Sequence, residues 1–287
     1  MDVFYDKIFM QEISPEDFKK LSDAIYRYCG INLPENKKNL LEGRVRKRIK
    51  QLGLGSFENY VNYVFSPEGL ENEITPLIDV ITTNKTDFFR ENMHYDFLVN
   101  TALPELEAGK KNDFVLDNAN VWSAGCSTGE EPYTLAMILS EYAEVNRGFT
   151  FTLFASDIST EALKHAVTGV YEYDKIEVIS SEMKKKYLMK HKNPEKKIVK
   201  IVPELQRLVR FERINFMDSV YNLPHKMDIV FCRNVLIYFD KATQEKVIRN
   251  IANNLNPGGF LFLGHSESTM GMKLPIERVA STIYRKK

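Results

Sequence analysis

The chain lacks several features that would assign it to a well-defined protein class. It has only three cysteines, Cys29, Cys126 and Cys232, widely spaced among 287 residues, and this odd number indicates a reducing compartment rather than a disulfide framework. No Cys-x-x-Cys pair or histidine cluster indicates zinc, so no metal site is expected. No apolar run approaches the roughly 20 residues of a membrane span, and residues 1–6 do not resemble a signal peptide. We therefore expect a cytoplasmic protein without membrane insertion.

The chain also lacks an excess of charge. Lysine plus arginine and aspartate plus glutamate each number 39, which gives a formal net charge of +0. A neutral chain has no overall attraction for nucleic acid, so we expect no nucleic-acid partner. The length and the hydrophobic content of 44% suit one catalytic domain with a large core, together with a smaller domain.

Residues 122–132 form the most informative segment, Trp-Ser-Ala-Gly-Cys-Ser-Thr-Gly-Glu-Glu-Pro. An apolar strand pattern precedes it and a helical pattern follows it, which is where open α/β sheets hold nucleotide-like cofactors. The loop has no Lys-Ser/Thr ending, so it is not a triphosphate-binding loop. Its Gly-x-Ser-x-Gly spacing does not favour a pyrophosphate either. A cofactor with an adenosine and no phosphate, S-adenosylmethionine, fits best.

Individual residues of this loop allow more than one role. Gly125 and Gly129 let the backbone approach a ligand closely, and the helix N-terminus can receive the carboxylate of the cofactor. Thr128 and Glu131 have the spacing of a capping box. Alternatively, Glu130 or Glu131 binds the ammonium group of the methionine moiety.

Asp157 closes the next predicted strand, where an acidic side chain can accept hydrogen bonds from two ribose hydroxyls. It could instead cap the helix that begins near Ser159. Because Ser159 can supply that cap itself, we assign Asp157 to the ribose.

Two further polar segments are candidates for the site. In residues 82–91, Arg90 is either a surface ion pair or part of a segment that closes over the cofactor, while Phe88 and Phe89 are expected in the core. Residues 231–239 follow the fourth strand, where methyltransferases place their acceptors. Arg-Asn stands there instead of a proline-rich run, so an amine acceptor is not favoured. Arg233 and Tyr238 can orient an anionic acceptor, although Arg233 could also be a structural ion pair.

The chain as a whole predicts an α/β fold preceded by an all-α domain. Residues 1–85 have helical periodicity and no strand pattern, and residues 86–116 form a linker and a helix that closes over the cofactor. From residue 117 to 287, strands and helices alternate, which predicts a Rossmann-like, doubly wound, mostly parallel sheet. A small antiparallel β insertion is expected at about 184–203, and residues 276–285 offer a last strand. Strands are expected at 118–123, 149–156, 208–214, 228–232 and 259–264.

A basic helix in the N-terminal domain stands out from the neutral background. Such a run is usually a solvated face, but its density favours docking to an acidic partner. The candidate residues for substrate binding are Arg44, Arg46, Lys47, Arg48 and Lys50.

Together these segments resemble the CheR family of bacterial chemotaxis-receptor methyltransferases. The resemblance covers nearly the whole chain and includes residues 82–91, 127–133, 155–158, 231–239 and the Gly-His-Ser-Glu run at 264–267. It implies methyl transfer from S-adenosylmethionine, with S-adenosylhomocysteine as product, to glutamate side chains of the cytosolic helical bundle of membrane chemoreceptors. It also implies cofactor contacts from Asn84, Thr86, Arg90, Glu130 or Glu131, Asp157, Asn215, Phe216, Arg233 and Asn234. At Phe216 the match is loose, because leucine is the residue typical of that position.

Two other functions stay open on the sequence alone. One is a carboxyl methyltransferase of the same chemistry that acts on another protein or a small acid. The other is a catalytically silent module that binds the cofactor or a receptor. The chain is expected to be a monomer, and the sequence does not indicate which receptors it serves or whether the β insertion docks a receptor tail.

Overall fold

The structure, a computed structural model, describes residues 11–109, 118–193 and 195–287. The N-terminal part is helical, as predicted, and has its own core around Leu21, Leu41 and Tyr60. Serine side chains at 14, 56 and 66 cap three of its helices by accepting a backbone N–H, as serine does at many helix starts. Its helices are α1 Pro15–Cys29, α2 Lys38–Leu52, α3 Phe57–Val64, α4 Pro67–Asn72 and α5 Ile74–Ile81, with a 3-10 turn at Glu35–Lys37.

A segmented helix links this domain to the sheet. The helix predicted within residues 86–116 consists of α6 Met93–Phe97, a π-helical turn Leu98–Ala102 and α7 Leu103–Gly109. Hydrophobic spacing does not separate these forms, because the π turn shifts the helical register only locally. The rest of the predicted linker, residues 110–116, lies outside the described residues.

Seven strands form the main sheet in the order β6-β2-β1-β7-β8-β10-β9. The first five run parallel, whereas β10 pairs antiparallel with both β8 and β9. This confirms a mostly parallel sheet preceded by an all-α domain. The strands are β1 Ala119–Ala124, β2 Phe151–Asp157, β6 Val209–Arg213, β7 Met227–Cys232, β8 Leu255–Leu263, β9 Ile276–Ala280 and β10 Ile283–Lys286.

Helices cover both faces of this sheet. The helices of this domain are α8 Glu130–Val145, α9 Thr160–Thr168, α10 Ser181–Tyr187, α11 Pro203–Gln206 and α12 Lys241–Asn253. Successive residues of β1 enter different cores: Val121 packs with Leu135 of α8, and Trp122 packs with Val247 of α12. This alternation follows from the two-residue period of a strand.

The β insertion is present, but it begins earlier than predicted. Three antiparallel strands, β3 Val170–Glu172, β4 Leu188–Lys190 and β5 Ile198–Ile201, form a second sheet in the order β3-β5-β4. The predicted bounds of 184–203 are therefore wrong at the start. They omit β3, whose three residues are too few to show an alternating pattern, and they include the end of α10.

The predicted last strand at 276–285 is wrong as a single element, because it is a hairpin of β9 and β10. Thr282 lies at the turn with φ 54°, a conformation in which few residues other than glycine occur, so the sequence carries no turn signal there. Among the residues that the structure describes, no helix combines the length and the apolar character needed to cross a membrane.

Direct hydrogen bonds join the two domains. The Tyr26 hydroxyl donates to Asp240 Oδ2 at 2.6 Å, and the Asn32 N–H donates to the Tyr238 carbonyl at 2.9 Å. At the start of α9, Asp79 accepts from the backbone N–H and the hydroxyl of Thr160, both at 2.6 Å. The helical domain therefore lies against the carboxyl edge of the parallel strands, where ligands of such sheets bind.

Candidate active site

A cavity of about 380 Å³ lies between the helical domain and the carboxyl edge of the sheet. Its volume is within the range of small-molecule sites. All residues predicted for cofactor binding or catalysis except Glu130 line it: Asn84, Thr86, Arg90, Glu131, Asp157, Asn215, Phe216, Arg233, Asn234 and Tyr238. The helical domain contributes apolar wall residues that the sequence did not indicate, Ile31, Leu33 and Leu40.

Asp157 lies at the end of β2 with a buried carboxylate. Its Oδ2 accepts the Ser127 N–H at 2.8 Å, and its Oδ1 accepts the Ser159 N–H at 2.9 Å. Ser159 caps α9 through its own hydroxyl, which accepts the Ala162 N–H, as expected. Each carboxylate oxygen has a second lone pair, so Asp157 can still accept hydrogen bonds from a ligand. Burial raises its pKa, which the backbone donors offset in part.

The glycines of the loop pack closely against other parts of the protein. Gly125 and Gly129 have φ values of 84° and 100°, which favour glycine. A Cβ on Gly125 would collide with the Val235 side chain, and one on Gly129 would lie 2.7 Å from the Tyr171 hydroxyl. Gly125 also lines the cavity, so close approach of a ligand to the loop backbone stays a prediction.

The two glutamates at the start of α8 have separate environments. Glu130 accepts the Thr128 hydroxyl at 2.6 Å and lies 3.8 Å from Lys175 Nζ, away from the cavity. Glu131 lines the cavity and accepts the Ser123 hydroxyl at 2.7 Å. Burial raises the pKa of the Glu131 carboxyl, and nearby Arg233 lowers it in part. The capping-box alternative is wrong, because the Thr128 hydroxyl bonds to Glu130 and α8 has no side-chain cap.

Arg233 lies at the centre of a buried charge cluster. Its side chain is only 2% exposed and reaches Glu91 Oε2 at 3.3 Å, Glu131 Oε2 at 3.6 Å and the Tyr95 hydroxyl at 3.0 Å. It also donates to the Arg90 carbonyl. These partners already satisfy the guanidinium. Of the two roles that the sequence left open for Arg233, the structure therefore has the structural ion pair. An acceptor carboxylate would have to displace Glu91 or Glu131 to be gripped by Arg233.

Arg90 is more accessible than Arg233. Its guanidinium donates to the Lys85 carbonyl at 3.3 Å, and it lines the cavity with Tyr238. Arg90 thus belongs to the segment at 82–91 that covers the cavity. The Asn84 carbonyl in the same segment accepts the Ser127 hydroxyl at 3.0 Å, which ties this cover to the glycine loop.

At the opposite wall, the Asn215 side chain is engaged within the protein. It donates to the Tyr28 carbonyl at 2.6 Å and accepts the Met217 N–H at 3.0 Å. Residues 215 and 216 can therefore contact a ligand only through their backbone and through Phe216. A backbone contact would tolerate phenylalanine at position 216 in place of the leucine typical of the family.

Sequence reasoning missed two carboxylates that organise the site. The Glu91 carboxylate accepts hydrogen bonds from the Arg233 guanidinium, from the Asn234 side chain at 3.3 Å and from the His265 N–H at 3.3 Å. Glu267 accepts backbone N–H groups of Gly264, Asn234 and Leu236 at 2.6–3.0 Å. Both residues lie in the segments singled out from the sequence, but a carboxylate that fixes backbone N–H groups has no signature in spacing.

The basic helix α2 is largely committed to the protein itself. Arg44 caps α5 by donating to carbonyls that include Thr82 O at 2.5 Å. Arg46 bonds to Glu42 and to the Gln11 carbonyl, and Arg48 forms a two-point pair with buried Glu73 at 2.6 and 2.8 Å. Lys47 and Lys50 are exposed. These two lysines are the best placed of the predicted docking residues to meet a partner.

Two sequence models of one family match the chain in succession. The model described as "CheR methyltransferase, all-alpha domain" matches residues 16–82. The model described as "CheR methyltransferase, SAM binding domain" matches residues 84–285. The first match therefore ends two residues before the second begins.

Full-length relatives agree with this match. A chemotaxis protein methyltransferase of Borreliella burgdorferi is 38% identical over 279 residues, which cover 96% of this chain and 95% of the relative. One of Salmonella typhimurium is 34% identical over 272 residues, with 95% and 90% covered. Among solved structures, a magnesium protoporphyrin IX methyltransferase of Synechocystis is similar with a TM-score of 0.38 at 14% identity, over 85% of this chain and 95% of that one.

Proposed function

Because the chain belongs to the CheR methyltransferase family, it is an S-adenosylmethionine-dependent protein-glutamate methyltransferase of chemotaxis, and we propose how its own residues serve that reaction. The observation that carries the proposal is the convergence of three segments on one cavity. These segments are the cover at 82–91, the glycine loop with Asp157, and the loop at 233–239.

The cavity suits a ligand with an adenosine at one end and a cationic group at the other. Buried Asp157 accepts the ribose hydroxyls, and the backbone near Asn215 with Phe216 borders the adenine. Glu131 faces the ammonium group, because a desolvated carboxylate gains most from a cation. S-adenosylmethionine supplies the sulfonium-bound methyl group that the reaction transfers.

The remaining residues position the acceptor. A glutamate carboxylate is ionised at neutral pH, so the chain needs no general base. Arg90 and Tyr238, which line the cavity and have less committed side chains than Arg233, orient the carboxylate in line with the methyl group. Arg233 is a positioning residue that holds Glu91 and Glu131. A pair between the acceptor and a buried arginine would weaken the nucleophile, so this division of roles favours transfer.

The proposed partner is the cytosolic helical bundle of a membrane chemoreceptor. The exposed lysines of α2 offer complementary charge to an acidic bundle face, which mainly increases association rate and specificity. We place the reaction in the cytoplasm, where these bundles and the cofactor occur, and assign it to a monomer, since the cavity is formed within one chain.

The test uses the full chain, methyl-labelled S-adenosylmethionine and cytosolic fragments of chemoreceptors. Label should enter the fragment and leave it as methanol in mild base, because a carboxyl methyl ester hydrolyses readily. Base-stable label would indicate N-methylation and contradict the proposal, as would no incorporation at all. The Tyr238→Phe variant is the matched probe of the acceptor site: its kcat should fall while its affinity for S-adenosylhomocysteine stays the same.

A further inference from the structure

Beside the cofactor cavity, three potential metal ligands from two separate segments of the chain meet. They are Glu91, His94 and His265, whose ligand atoms all lie within 4.8 Å of one another. Glu91 Oε2 is 3.5 Å from His94 Nδ1 and 3.9 Å from His265 Nε2. Two ligands about 2.1 Å from one tetrahedral ion lie roughly 3.4 Å apart, so the observed separations are close to those of a metal site.

His94 provides an independent indication. Its side chain is 2% exposed, and its Nδ1 has no hydrogen-bond partner among the residues that the structure describes. Buried polar atoms are normally satisfied, so an orphan needs an explanation. His94 Nε2 lies 3.0 Å from the Thr282 hydroxyl oxygen, and that hydroxyl donates to the Ser281 carbonyl at 2.8 Å.

His94 Nε2 and the Thr282 hydroxyl share a hydrogen bond whose direction depends on the tautomer of the ring. When the Thr282 hydroxyl donates to the Ser281 carbonyl, it accepts from His94 Nε2–H, and Nδ1 carries a lone pair. That lone pair faces a carboxylate oxygen, an arrangement that repels unless a cation lies between them. Metal-binding histidines are typically oriented in this way through their second nitrogen.

We propose that Glu91 Oε2, His94 Nδ1 and His265 Nε2 bind one divalent transition-metal ion of the Zn²⁺ class. Two imidazoles and one carboxylate suit Zn²⁺, with a fourth position open to water. The side chain of His265 is 52% exposed, so it can complete the coordination with a small rotation and gives the ion a path to solvent.

The site also couples to the cofactor cavity. Glu91 Oε2 is the atom that lies 3.3 Å from Arg233 Nε, so a bound cation competes with the guanidinium for the carboxylate. We expect metal loading to loosen the wall formed by Arg233 and Asn234 and to weaken binding of S-adenosylhomocysteine.

Calorimetric titration of the chelator-treated, tag-free full chain with Zn²⁺ tests the site, and visible absorption with Co²⁺ reports its geometry. One ion per chain and the spectrum of tetrahedral Co²⁺ are expected. His265→Gln, at an exposed position, should weaken binding at least about tenfold, since even loss of an outer partner costs that much. Thr282→Val tests the orienting hydrogen bond.

His191→Gln is the matched control, because His191 is an exposed histidine on the small sheet. Its Zn²⁺ affinity should equal that of the wild type. The site is overturned if binding is not saturable, or if His265→Gln and His191→Gln bind Zn²⁺ equally well. Equal S-adenosylhomocysteine affinity with and without Zn²⁺ in a metal-binding wild type would overturn the coupling.

Discussion

Asp157 is a single residue with two duties, because its carboxylate fixes the glycine loop and faces the cavity. We predict that Asp157→Ala weakens binding of S-adenosylhomocysteine by about 1–3 kcal/mol, as for other hydrogen bonds to a charged group. Calorimetric titration measures the change. Asp218→Ala, an exposed acid outside the cavity lining, is the control. Unchanged affinity in Asp157→Ala would remove this residue from the ribose site.

Glu131 should make cofactor affinity depend on pH. Burial raises its pKa above the ordinary 4.5, and a cationic ligand favours the ionised form. The affinity contributed by Glu131 is therefore complete above that raised pKa and is lost as pH falls through it. We predict that wild-type affinity for S-adenosylhomocysteine decreases on acidification from neutral pH toward 4.5, and that Glu131→Gln binds more weakly at neutral pH with a flatter profile.

Glu130→Gln provides the comparison for this pH profile, because the neighbouring Glu130 side chain bonds to Thr128 outside the cavity. Burial raises the pKa of Glu130 as well. Glu130 and Glu131 therefore differ mainly in whether their side chain faces the ligand. A flatter profile in Glu130→Gln rather than in Glu131→Gln would reverse the assignment of the ammonium-binding residue.

Among the elements, α2 shows how charges that look alike in sequence differ in structure. Lys47 and Lys50 are exposed, whereas Arg44, Arg46 and Arg48 are half-buried. We predict that Lys47→Glu with Lys50→Glu raises KM for receptor fragments and leaves cofactor affinity unchanged. Because salt screens such attraction, the wild-type KM should increase with ionic strength more than that of the double variant. Steady-state methylation at several salt concentrations measures both.

A matched double reversal, Lys185→Glu in α10 with Lys190→Glu in the adjoining strand β4 of the small sheet, serves as the control for this surface, since both lysines are exposed. If the control raises KM and the α2 variant retains the wild-type value at low salt, the receptor docks on the small sheet instead.

Elements whose residues repeat a pattern were predictable from sequence. Strands β1, β2 and β7 were located within a few residues, because buried strands have clear apolar runs. Strand β3 was missed because three residues are too short for a pattern. The hairpin of β9 and β10 was missed because Thr282 turns the chain without glycine.

The candidate site was predictable to the extent that its residues cluster in motifs. Asp157 and Glu131 lie at the cavity because strand ends and the segments that follow them meet at one edge of a parallel sheet. Arg90 comes instead from the segment at 82–91, which precedes the first strand. The duties of Arg233, Glu91 and His94 were not predictable. They depend on contacts between residues that are far apart in sequence. Glu91 and Arg233, for example, form a hydrogen bond although 142 positions separate them.

At the scale of the whole molecule, the helical domain takes part in the site without supplying many ligands. It provides apolar side chains to the wall of the cavity. Its Asp79 carboxylate also accepts hydrogen bonds from the N–H and the hydroxyl of Thr160, which directly follows the Asp157–Ser159 turn. A negative group at the start of α9 is also favoured by the helix dipole. The position of Asp157 therefore depends on contact between the domains.

This dependence predicts that ligand binding and domain contact stabilise each other. Asp79→Ala should weaken S-adenosylhomocysteine binding by about 1 kcal/mol, a typical coupling free energy, although Asp79 does not line the cavity. Exposed Glu71 of the same domain gives the control variant, Glu71→Ala. Conversely, an excess of ligand should slow the amide hydrogen exchange of the wild type in α5 and residues 82–86 as well as in β2. Protection confined to the sheet domain, with wild-type affinity in Asp79→Ala, would show that the helical domain does not shape the cofactor site.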